Sequence, residues 1–138
     1  MSETLDKLQQ YLKKMQQFDH VTTLLYWDMR TNTPKEGFEG HSDALTYFST
    51  ERFTLATSDE LKNLLDTLAA PEEFEALDDK WKFIVSKMKE QMDRERRIPK
   101  DFYESFVKAQ SESENAWEEA KEKSDFSIFA PHLEKLIG

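Results

Sequence analysis

Leu5, Leu8, Leu12 and Met15 recur at spacings of three and four, and Phe18, Val21 and Leu25 continue the stripe. Apolar positions at that period share one helix face, so residues from about 3 to 28 predict one amphipathic helix roughly 40 Å long. Arg30-Thr-Asn-Thr-Pro34 breaks it, because proline disfavours the α conformation at Thr33 and has no N–H to donate.

Gly37 and Gly40 loosen the next segment, and from Ser42 the residues Leu45, Phe48, Phe53 and Ala56 predict a second helix ending near Ser58. Ser58 is an N-cap for a short helix carrying Leu61, Leu64, Leu65 and Leu68. Pro71-Glu-Glu suits a first turn, and from there Phe74, Leu77, Trp81, Ile84, Met88 and Met92 hold the helical spacing without interruption, predicting one long helix. Ile98-Pro99 stops it. The next stripe is Phe102, Phe106, Ala109, Ser113, Ala116 or Trp117, and Ala120, whose small members let another helix approach closely. Residues 124–129 read as a loop with cap signals, and a last fragment with Leu133, Leu136 and Ile137 reaches Gly138 before its stripe is established. That stop reads as premature. The expectation is an all-α antiparallel bundle of long helices, a single domain over residues 1–138 that forms the N-terminal region of something longer.

Composition agrees with a packed helical domain. Hydrophobic residues make up 38% and charged residues 34% of 138 positions, and 10 Phe with 3 Trp are too many for a disordered chain. Lys plus Arg number 19 against 28 Asp plus Glu, a net charge of -9 that repels phosphate, so neither nucleic acid nor an anionic membrane is an expected partner. There is no cysteine, hence no disulfide, thiolate nucleophile or cysteine-bound zinc. The first residues lack a basic stretch leading into an apolar one, which predicts a cytoplasmic location.

Chemistry-bearing patterns are missing. A helical zinc site needs two histidines one turn apart with a glutamate beside the first, yet four residues beyond His20, His41 and His132 stand Leu24, Leu45 and Leu136. Gln17, Phe38 and Phe129 precede them by three, which rules out the Glu-x-x-His of di-iron bundles. No Gly-x-Ser-x-Gly elbow or glycine-rich phosphate loop occurs. His20 is expected to be structural or solvated, His41 to be solvated rather than to join Glu39 and Asp43 in an incidental metal contact, His132 to cap or face solvent, the acidic run Glu112–Glu122 to be an exposed face, and Trp81, Phe102, Phe106 and Trp117 to be core residues.

Leu24-Leu-Tyr-Trp27-Asp28-Met-Arg-Thr-Asn-Thr-Pro34 resembles the N-terminal signature of the carboxypeptidase Taq family, peptidase family M32. Trp117-x-x-Ala120, Asp125-Phe126 and Phe129-x-Pro131 are similar to a second run of the same family, and Arg97-Ile98-Pro99 agrees in position. The resemblance implies a nearly all-helical, homodimeric, cytoplasmic metallocarboxypeptidase that releases C-terminal residues from peptides. Its zinc, or cobalt, would be held by two HExxH histidines and a later glutamate. None of those ligands lies in this chain, and Asp28-Met-Arg30 departs from the family's Asp-x-Arg-x-Thr at Asn32, so no catalytic, cofactor-binding or metal residue is carried over. Trp27, Asp28, Pro34, Trp117, Asp125, Phe126, Phe129 and Pro131 are expected to be structural, with the Trp27 indole closing the helix end and Asp28 accepting backbone N–H bonds. The implied role is cleft wall and scaffold for a catalytic region elsewhere. The alternative is a self-contained acidic helical interaction module.

Overall fold

A computed structural model describes residues 2–138. Among them the chain is all-α: seven helices and two 3-10 turns, with no strand. Helix α1 (Glu3–Thr31) opens with the Ser2 hydroxyl accepting from the Leu5 amide at 3.3 Å and runs three residues past its expected end near Asp28, into the expected break. Its end is set by Asn32 and Thr33, whose amides both donate to the Asp28 carbonyl at 2.9 Å just before Pro34. A 3-10 turn over Lys35–Gly37 then feeds α2 (Phe38–Ala56), which starts four residues before Ser42. Gly37 tightens that entry: a Cβ there would stand 2.8 Å from Cγ2 of Thr33, closer than atoms allow.

Ser58 caps α3 (Asp59–Ala69) as expected, its hydroxyl accepting from the Leu61 amide at 3.2 Å. The long helix expected after Pro71 is in fact two. Helix α4 (Pro71–Glu75) stops, and α5 (Asp79–Glu95) restarts after the Asp78 carboxylate accepts from the Trp81 amide at 2.9 Å. Aspartate prefers the cap to the helix interior, and here that local preference overrides an unbroken apolar stripe. Helix α6 (Lys100–Lys123) leads through a second 3-10 turn, Phe126–Ile128, into α7 (Ala130–Ile137).

Contacts divide the chain into two units. The first comprises Met1–Asp19 and Glu51–Pro99. Its core is aliphatic: Leu5, Leu8, Leu61, Leu65, Leu68, Val85 and Met92, with Leu12, Trp81 and Met88 packed at the edge. Arg52 pairs with Asp19, and Arg96 bonds the Thr57 carbonyl at 2.7 Å and Asp59 at 2.8 Å, joining the start of α3 to the end of α5.

The second unit comprises His20–Thr50 and Lys100–Gly138. Its interior is of another kind, built from Met29, Ala109, Ala116 and Ala120 with Ser42, Thr46, Thr50, Ser111 and Ser113. The expectation that Phe102, Phe106 and Trp117 are core residues fails, since they are 62%, 45% and 50% exposed. The small residues of that stripe take the interior, and helices packed that closely leave no depth for a ring. No helix among the described residues is long and apolar enough to cross a membrane.

Candidate functional site

Both stretches that carry the family resemblance fall in the second unit, one at the junction of α1 and α2 and the other at the junction of α6 and α7. At the first, Asp28 is the centre. Its carboxylate accepts from the Thr33 hydroxyl at 2.8 Å and lies 2.7 Å from Nε2 of His41, whose Nδ1 is 3.2 Å from the Gly37 carbonyl oxygen. The hydrogen bonds from Thr33 and then from His41 hold the Asp28 carboxyl below the usual aspartate range. Asp28 thus accepts backbone amides, those of Asn32 and Thr33, through its carbonyl, while its carboxylate is taken by side chains. Trp27 is 67% exposed. Pro34 begins the turn, its carbonyl accepting from the Gly37 amide at 2.9 Å.

An aspartate, a histidine and a hydroxyl in one place invite comparison with a nucleophilic relay. The order is wrong for it. In a relay the hydroxyl donates to the imidazole nitrogen opposite the carboxylate, whereas here Thr33 donates to the carboxylate itself and the opposite nitrogen faces a backbone carbonyl. The arrangement ties the turn together and is not that of a relay.

Two residues on from Asp28, Arg30 reaches α6. Its guanidinium donates to Glu114 at 2.5 Å and Glu118 at 2.7 Å, and it lies 5.1 Å from the centre of the Tyr26 ring. Burial alone would lower the Arg30 pKa, but the hydrogen bond it donates to Glu118 and the charges of Glu118 and Glu114 outweigh it and push it up. Beside this clamp runs a groove of about 460 Å³ lined by Phe38, Ser42, Lys108, Asn115, Glu119 and His132. Its charges are mostly paired, with Lys108 3.5 Å from Asp43 and Lys35 3.8 Å from Glu122.

At the second junction Ser124 takes a left-handed conformation, φ 52°, and the Asp125 amide returns to the Ala120 carbonyl at 2.9 Å. Asp125 accepts from the Ser127 amide at 3.0 Å and its hydroxyl at 2.6 Å, contacts that keep its carboxyl below the ordinary range. Phe126 and Phe129 meet edge to face with centroids 6.0 Å apart, and Pro131 opens α7. Phe126 is 65% exposed.

The structure therefore assembles Trp117, Asp125, Phe126 and Phe129 into one corner and Asp28 and Pro34 into the other, and leaves Trp27 outside both networks. Sequence reading missed His41 and Arg30. Each finds its partner across 13 or more positions, a separation at which local periodicity carries no signal. His41 in particular is tied to Asp28 and Gly37 instead of being merely solvated. His20 is exposed and His132 half-buried. Among the described residues no group of three or more His, Asp or Glu could hold a metal ion.

The family model of the carboxypeptidase Taq (M32) metallopeptidases matches residues 7–138. Carboxypeptidase 1 of Bacillus subtilis is 40% identical over 126 residues, covering 91% of this chain and 25% of that protein. Thermostable carboxypeptidase 1 of Pyrococcus furiosus is 32% identical over 141 residues, covering 99% of this chain and 27% of that protein. The crystal structure of BsuCP superposes with a TM-score of 0.94 at 37% identity over 99% of this chain and 27% of that one. The apo-Mg structure of the Pyrococcus furiosus carboxypeptidase does so with a TM-score of 0.74 at 30% identity over 98% of this chain and 27% of that one. The chain thus spans between 25% and 27% of the length of these relatives. On the match of its sequence and its all-helical fold together, the chain belongs to the carboxypeptidase Taq (M32) family of metallopeptidases.

Proposed function

We propose that this chain is the N-terminal helical region of a longer metal-dependent carboxypeptidase that releases C-terminal amino acids from peptides, in which it serves as scaffold and cleft wall. The observation that carries the reading is the family match over residues 7–138 at a quarter of the relatives' length. The metal, zinc or cobalt, is held by residues of the remaining part, and the isolated chain is inactive. The whole enzyme is a cytoplasmic homodimer that binds neither nucleic acid nor membrane, consistent with a net charge of -9.

Within this region Trp27, Asp28, Pro34, Trp117, Asp125, Phe126, Phe129 and Pro131 act structurally, by fixing the two helix junctions. The test compares the 138-residue chain with the polypeptide of its complete reading frame, measuring bound metal and release of C-terminal residues from peptides. Activity with stoichiometric metal in the longer protein alone is the expected result. Activity in neither defeats the reading in favour of an acidic helical interaction module.

A further inference from the structure

We infer that the corner between α6 and α7, where Trp117, Phe126 and Phe129 surround Ala120, is a preformed seat for an apolar side chain of the catalytic region of the longer protein. The inference rests on the function proposed above. The corner is a shallow, open hollow of about 330 Å³. Trp117 and Phe126 are 50% and 65% exposed there, and such side chains left open to water at a shaped surface mark a contact rather than a core.

The backbone around the seat is held by its own local bonds. The left-handed Ser124, the return of the Asp125 amide to Ala120 and the closure of Asp125 on Ser127 fix the path of the chain, and Phe126 is braced edge-on by Phe129. A partner therefore incurs little ordering cost at this face. A small-molecule pocket would gather several free polar groups, and this corner does not. Asp125 is consumed by Ser127, which leaves Lys121, whose ammonium stands 5.2 Å from the centre of the Trp117 ring with no carboxylate at ion-pair distance among the described residues. An apolar side chain with a carboxylate next to it satisfies both features.

The occupant comes from the same polypeptide. The fold recurs at a TM-score of 0.94 inside a chain of which this one spans only 27%, so a tethered partner is present at high effective concentration, as a second copy is not.

The test places p-benzoylphenylalanine at position 126 of the polypeptide of the complete reading frame, irradiates it, and maps the crosslinked peptides by mass spectrometry while assaying carboxypeptidase activity in parallel. A crosslink within one molecule to a residue beyond 138 is expected. Crosslinks confined to residues 1–138, crosslinks to a second copy, or none at all overturn the inference. An active enzyme without the crosslink defeats the seat and leaves the proposed function standing; the crosslink in an inactive protein does the reverse.

Discussion

Thr33 reaches back five residues to the Asp28 carboxylate and His41 reaches back thirteen, so one side chain ties three parts of the α1–α2 junction. Because the folded protein holds the Asp28 carboxyl below its usual range, this carboxylate's contribution is complete above the ordinary aspartate pKa and is lost as pH falls through the depressed value. Thr33→Val removes the larger of the two hydrogen bonds, and an NMR titration of the Asp28 carboxyl carbon is expected to show its midpoint move up toward the ordinary range. Arg30 is the other residue on which much depends. Its side chain is 16% exposed between Glu114 and Glu118, and Arg30→Met leaves two carboxylates facing each other one turn apart on α6. The expected loss is about 2 kcal/mol in urea unfolding, and Arg30→Lys recovers only part of it because an ammonium cannot fork to both acids.

Single helices were read well where a cap or a proline stands at the boundary. Ser58 and Pro99 mark their positions in the sequence as they do in the structure. The stretch after Pro71 was misread because Phe74, Leu77 and Trp81 keep helical spacing across a break that one aspartate side chain makes. Asp78→Ala removes the bond to the Trp81 amide and is expected to cost about 1 kcal/mol, measured by thermal unfolding followed by circular dichroism. The α6 stripe shows a different limit. Periodicity placed Phe102 and Ala120 on the same face, but only packing decides that the alanine is buried and the ring exposed. The same holds for the junction residues: the motif Trp27-Asp28 could be located, whereas the bonds of Asp28 could not, since His41 lies on another helix.

For the whole chain, the exposed rings carry a prediction of their own. Phe102 and Phe106 stand one turn apart on α6, 62% and 45% exposed. Sedimentation of the isolated 138-residue chain is expected to show association that grows with concentration, and the pair Phe102→Ser with Phe106→Ser to weaken it. The two interiors also differ in what they would give to water. Opening the leucine cluster around Leu8, Leu61, Leu65 and Leu68 exposes hydrocarbon, whose hydration raises the heat capacity, while opening the alanines and hydroxyls around Ser42, Thr46, Ser111 and Ser113 exposes mainly small and polar groups, whose hydration partly cancels it. Temperature consequently acts on the two interiors unequally: cooling weakens the leucine interior more than the hydroxyl-lined one.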